Sequence, residues 1–211
     1  MDHTEKCESV LPVGNGSLPA NSRQSRKLPF EYARGYLNAC ISVIPISKNK
    51  QPIPGLHWRE FSARMPSEKE ISDWWQNHPQ RGIGAVCGAG SGGLQCVDVD
   101  DPDIVQPLLD LIEDHSPGMI ARLAIVRTPR GGAHLWLRCS VVAGNQKLAM
   151  RRNETGGRDT IIETRAEGGY ALLPGSPGNC HPTGGLYDWT QGEASTIPFL
   201  TPEDRELILV H

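Results

Sequence analysis

Apolar positions along the chain change period several times, and each change marks an element. Phe30, Tyr32, Tyr36 and Leu37, behind Pro29, follow helical spacing. Ile41, Val43 and Ile46 alternate as a strand, and a loop with Lys50, Pro52, Pro54 and Gly55 then leads to Trp58. Ser67 with Glu70 three residues on forms a capping box, opening a short helix that carries Ile71, Trp74 and Trp75. Two apolar runs follow, Ile83–Cys87 and Leu94–Val99, separated by Gly-Ala-Gly-Ser-Gly-Gly, which reads as a hairpin turn. Asp101 as cap and Pro102 at the first helical position predict a helix to about His115. Strands dominate thereafter, at Leu123–Arg127, Ala133–Arg138, Thr160–Arg165, Tyr170–Leu173 and Leu186–Trp189.

The ends differ from this core. Residues 1–28 are rich in Ser, Asn, Gly and Pro without an apolar period, and read as a flexible arm before a domain over 29–200. Thr201, Pro202, Glu203 and Asp204 suit the first turn of a helix over 201–211. Its apolar Leu207–Val210 run has no cap after it, so the expectation is a helix that continues into a further C-terminal region. A terminal helix that docks those residues is the plainer alternative.

Composition narrows the class. Gly (23) and Pro (17) are abundant among 211 residues, as in a chain of short elements and many turns. No apolar run approaches the roughly 18 residues of a membrane span, and the opening MDHTEKCESV is no signal peptide. A cytoplasmic setting is expected. Cys40, Cys87, Cys96 and Cys139 lie in or beside apolar runs, as buried thiols do, and no CxxC pair offers a zinc framework. The adjacent Cys180 and His181 lack a second pair of ligands.

The glycines at 88–93 formally match GxGxxG, but a dinucleotide site needs strand, turn and then helix. Here they run into the strand-like Leu94-Gln-Cys-Val-Asp-Val-Asp, so that reading is rejected. Within Val97-Asp98-Val99-Asp100-Asp101, alternation puts Asp98 and Asp100 on one face and both valines on the other. Adjacent carboxylates repel, and a divalent cation relieves them. Solvent-exposed turn acids are the alternative, and Asp101 is read as such a cap. An EF-hand fails, because Pro102, Asp103 and Leu109 occupy its ligand, glycine and terminal glutamate positions. A phosphoaspartate phosphatase is disfavoured by Pro102, while a nucleotide-sugar transferase with a DxD motif stays open.

Two further stretches bear on the choice. In Thr128-Pro-Arg-Gly-Gly-Ala-His134-Leu-Trp-Leu-Arg138, Leu135 and Leu137 face inward, and His134, Trp136 and Arg138 the other way. A lone strand histidine is usually structural, but Arg127, Arg130 and Arg138 around this one suit phosphate. In Asp159-Thr-Ile-Ile-Glu163-Thr-Arg165, Glu163 and Arg165 share a face, and Glu163 is a third carboxylate for a two-metal site.

These motifs in this order resemble the prim-pol group of the archaeo-eukaryotic primase superfamily, found in plasmid and phage replication proteins. The matching pieces are the Leu94–Asp100 strand, Gly132-Ala133-His134, and Ile161-Ile162-Glu163. The Lys50-Gln51-Pro52…Trp58 loop, the Gly82–Gly92 stretch, Gly168-Gly169-Tyr170…Pro174 and His181-Pro182…Tyr187…Trp189 are similar too. Glu163 stands where many members have Asp, and Pro174-Gly175-Ser176 replaces a common Pro-Pro-Ser. The resemblance implies an α+β fold, a small N-terminal αβ module packed on an RNA-recognition-motif-like mixed sheet. It implies templated nucleotidyl transfer from dNTP or NTP on a DNA template, as primase or polymerase, in replication of a plasmid, phage or mobile element. Asp98, Asp100 and Glu163 would hold Mg²⁺ or Mn²⁺, and His134 the triphosphate, with Arg127, Arg130, Arg165 and Lys50 as further nucleotide contacts. A helicase region or partner would follow the domain. An inactive DNA-binding module and a purely structural partner domain are the remaining alternatives.

Net charge, at −3, first argues against a nucleic-acid binder. Its placement argues otherwise: Asp98 to Asp114 holds only acids, Arg122 to Arg138 only arginines, and Lys147 to Arg158 four bases against Glu154. A segregated surface can steer a polyanion whatever its total.

Overall fold

The computed structural model describes residues 27–209. The expected arm over 1–28 lies outside them except for Lys27 and Leu28, as do Cys7 and the last two residues of the 201–211 helix.

Helix α1 (Pro29–Asn38) starts on a proline whose missing N–H costs nothing there, and buries Pro29, Ala33 and Tyr36. Strand β1 (Val43–Ile46) follows. In α2 (Glu68–Trp75) the capping box is reciprocal: Ser67 Oγ accepts from Glu70 N at 3.3 Å and Glu70 Oε2 from Ser67 N at 2.8 Å. Strand β2 (Gly82–Val86) pairs antiparallel with β1 and with β8 (Tyr170–Leu172), giving a three-stranded sheet.

The larger sheet has seven strands. Six run in the order β6 (Lys147–Arg152), β7 (Arg158–Arg165), β3 (Leu94–Val99), β5 (Ala133–Cys139), β4 (Ala124–Arg127) and β9 (Asp188–Gln191). The short β10 (Phe199–Leu200) lies parallel to β5 and makes the sheet mixed. Three helices complete the chain: α3 (Pro102–His115), α4 (Met119–Arg122) and α5 (Pro202–Leu209). Asp101 caps α3, its Oδ1 accepting from Asp103 N at 3.0 Å.

Alternation on the central strands feeds two cores. Leu94, Cys96, Val126 and Trp136 face the small sheet with α1 and α2; Val97, Val99, Leu135 and Leu137 share a core with Leu108 and Ile112 of α3 and Ile208 of α5. Each such aliphatic side chain contributes about 1.5–3 kcal/mol on burial. The fold is the expected α+β arrangement, with the small N-terminal layer packed on a mixed sheet.

Two local expectations are corrected, and one strand is new. The glycines at 88–93 do not close a hairpin, because β2 and β3 belong to different sheets and only Gly88 and Leu94 bridge. Positive φ at Gly88 (104°), Gly92 (64°) and Gly93 (74°) lets the segment swing the chain from one sheet to the other. Cys40 is exposed, while Cys87, Cys96, Cys139 and Cys180 are buried. Strand β6 had no sequence signal, since it is a charged edge strand with mostly exposed side chains.

Candidate active site

Register across three strands builds the site. On β3, Asp98 is the direct partner of Glu163 on β7 and of His134 on β5. Side chains two residues apart share a face, so Asp100 joins them at the end of β3, its N–H held by the Ile161 carbonyl at 3.0 Å. Asp98, Asp100 and Glu163 each offer a carboxylate oxygen, all within 4.8 Å of one another. The close approach of β5 to β3 depends on Gly132, where a Cβ would stand 2.1 Å from the Val99 carbonyl oxygen.

Asp98 is buried, and the other two acids are partly exposed. Burial works to raise the Asp98 pKa, but His134, Arg165 and Lys50 together hold it below the usual value. Asp100 and Glu163 are both raised: burial acts first on each, the charge of Asp98 adds to it, and Arg165 and Lys50 (Asp100) or Arg165 and Lys147 (Glu163) oppose it. His134 Nε2 lies 3.4 Å from Asp98 Oδ1, and Arg165 Nε lies 3.7 Å from Asp98 Oδ2 while its Nη2 binds Glu163. His134 Nδ1 is buried without a hydrogen-bond partner, the kind of group a bound ligand satisfies.

The family model for the bifunctional DNA primase/polymerase N-terminal domain, Prim-Pol, matches residues 33–203. The chain belongs to the Prim-Pol family. No curated protein matches it. Prim-Pol is a nucleotidyltransferase family of DNA primases and polymerases, whose substrates are nucleic acid and nucleotides. Its members are metal-dependent, and the three acids fit that requirement: an all-oxygen, anionic donor set suits Mg²⁺ or Mn²⁺ better than the softer metals. Among the described residues these acids are the one such group, and no helix is long and apolar enough to cross a membrane.

Not every cation expected beside the three acids is there. Lys50 and Arg165 line a cavity of about 310 Å³ together with Asp98, His134, Trp58, Tyr170 and Tyr187. Arg130 sits exposed on the β4–β5 turn and is not among the residues that line this cavity. Arg127 does not reach it. Val126 is the partner of His134, so Arg127 points to the opposite face, pairing with Asp188 at 3.2 Å and lining a groove with Val105 and Leu109 of α3. Arg138 shares the His134 face four residues further along β5, but its guanidinium is spent on the carbonyls of Ala39, Cys40 and Ser91.

Aromatic rings complete the wall, and these roles were not legible in sequence. Tyr187 packs on His134 with ring centroids 5.4 Å apart, and Trp58 meets Tyr170 edge-on at 5.1 Å. Tyr170 Oη donates to the Lys50 carbonyl at 2.9 Å, fixing the loop that carries Lys50. Trp58 and Tyr170 are 112 positions apart, so only the pairing of β2 with β8 and the loop 47–58 bring them together.

Proposed function

We propose that the protein is a template-dependent nucleotidyltransferase, a DNA primase or polymerase that joins dNTP or NTP on a DNA template. The observation that carries this reading is the convergence of Asp98, Asp100 and Glu163, with ligand oxygens within 4.8 Å, beside a buried histidine. Asp98, Asp100 and Glu163 would hold Mg²⁺ or Mn²⁺, which supplies charge neutralisation at the phosphates and activation of the attacking hydroxyl.

The chain's own groups do the rest. His134, supported by Asp98, donates to a phosphate oxygen of the nucleotide. Lys50 adds positive charge in the cavity and Arg130 adds to it from the β4–β5 turn, drawing the triphosphate in, while Trp58, Tyr170 and Tyr187 bound the cavity and limit its water. Arg165 neutralises Asp98 and Glu163 and lines the same cavity, where it would be a further phosphate contact. Positioning and electrostatics supply most of the catalysis in phosphoryl transfer. Family membership supports templated transfer over the nucleotide-sugar reading. Replication of a plasmid, phage or mobile element, with a helicase region or partner, is the setting we propose.

A templated extension and priming assay with labelled nucleotides, run in Mg²⁺ and in Mn²⁺, tests the reading. Metal- and template-dependent incorporation is the expected result. Metal-independent DNA binding with no incorporation in either ion would favour an inactive binding module.

A further inference from the structure

The β6–β7 hairpin carries more positive charge than folding requires. From Lys147 to Asp159 it bears Lys147, Arg151, Arg152 and Arg158 against Glu154 and Asp159. All four cations are exposed. Arg152 and Arg158 are direct cross-strand partners, and like charges placed so destabilise a sheet. Arg151 is committed to Asp101 at 2.7 Å, and Asp159 accepts from Asn153 at 3.0 Å. Among the described residues, Lys147, Arg152 and Arg158 have no ion pair with any acid.

Placement gives this charge a direction. Strand β6 is the outer strand of the seven-stranded sheet. At its inner end Lys147 is the register partner of Glu163, so the row of cations begins beside the three carboxylates. The register of β6 against β7 shifts twice past Lys147, and Ile161 and Ile162 both pack on the α3 side, so alternation is reset there and Arg158, with its partner Arg152, returns to the face of Glu163. At no more than about 3.4 Å per residue, Arg152 stands roughly 17 Å further out. Protection of an edge strand is served by scattered charges, lysine above all, and does not call for two arginines set directly opposite each other. A lysine beside the carboxylates and two opposed, unpaired arginines near the turn instead fit a repeating anion, and guanidinium groups pair with phosphate in bidentate fashion.

We propose that the β6–β7 hairpin clamps the sugar–phosphate backbone of DNA bound at the catalytic face, with Arg152 and Arg158 gripping it about 17 Å, or roughly five base-pair steps, from the carboxylates. The clamp rests on the nucleotidyl-transfer reading for the identity of the polyanion. It converts the cross-strand repulsion of the free chain into binding energy for phosphate.

The test is fluorescence anisotropy of a labelled primer–template duplex across a salt series, with the full chain, Arg152→Gln/Arg158→Gln, and Arg152→Lys/Arg158→Lys. The glutamine pair is expected to weaken binding about tenfold or more at low salt, and to lower the slope of log K against log salt by about two. The lysine pair should keep most of the slope. The glutamine pair should also melt no lower than wild type, because it removes a repulsion. An unchanged affinity and slope in the glutamine pair overturns the clamp. Incorporation assays on the wild-type chain separate the two readings. Incorporation with an unchanged slope overturns the clamp alone, and an arginine-dependent slope without incorporation upholds the clamp and overturns the catalytic reading. A wild-type chain that does not bind the duplex overturns both.

Discussion

Asp98 and His134 are direct cross-strand partners on β3 and β5, and their Oδ1 and Nε2 atoms lie 3.4 Å apart. Antiparallel register therefore does more here than close a sheet. It places a buried acid between a histidine on one side and Glu163 on the other, in one row across three strands. The acid holds the imidazole in place, and the imidazole helps keep the acid ionised in a buried position.

His134→Ala removes one charge-assisted phosphate contact, worth about 1.5–3 kcal/mol, so the apparent KM for nucleotide should rise roughly 10- to 100-fold. Steady-state incorporation at varied nucleotide concentration reads this directly. A KM equal to that of wild type, in a folded variant, would contradict the proposed role.

Gly132→Ala tests the approach of β5 to β3. A methyl group would sit 2.1 Å from the Val99 carbonyl oxygen, with backbone and not a flexible side chain as the obstacle. The expected loss is about 1–3 kcal/mol, as for other overpacked sites. Urea unfolding measures it, and the same variant should lose incorporation because Asp98 and His134 separate.

Glu70 links stability to acid. The Arg64 guanidinium, with Ser67 adding to it against the opposing effect of burial, holds its carboxyl down at about 2. A carboxyl depressed by folding contributes stability that is complete above its unfolded value and lost as pH falls toward the folded one. Wild type should therefore lose stability relative to Glu70→Gln between about pH 4.3 and pH 2, and the two should run parallel above that window. Ser67→Ala should cost about 1 kcal/mol through the same cap. Thermal melts over a pH series check both.

Thiol reactivity should follow burial. Burial pushes the Cys87 thiol up to about 12 and the Cys180 thiol to about 11, and Cys96 well above the ordinary value. In a Cys7→Ser background, a thiol-directed reagent at neutral pH should label the exposed Cys40 rapidly and the other four only on unfolding. Mass spectrometry of the labelled chain decides it.

The grouping of the three acids was legible because they sit on strands whose period is two. Asp98 with Asp100, and Glu163 with Arg165, could be assigned shared faces from alternation alone. The same rule would have excluded Arg127, had the register of β4 against β5 been known. Register depends on partners distant in sequence, so Val126 opposite His134 was out of reach. Arg138 differs for another reason: it lies on the same face as His134 but beneath the chain at Cys40 and Ser91, which only the assembled layers reveal. The hairpin at β6 was invisible because an edge strand with exposed side chains needs no alternation, and its charges read as a run without structure.

The central claim is that Asp98, Asp100 and Glu163 form the metal-dependent centre of templated nucleotidyl transfer. The most direct measurement is primer extension in Mg²⁺ and Mn²⁺ by wild type and by Asp98→Asn/Asp100→Asn, with the circular dichroism and melting of both chains recorded alongside. The account predicts extension by wild type, and extension at the level of a no-enzyme control by the folded double variant. Full extension by that folded variant would contradict it.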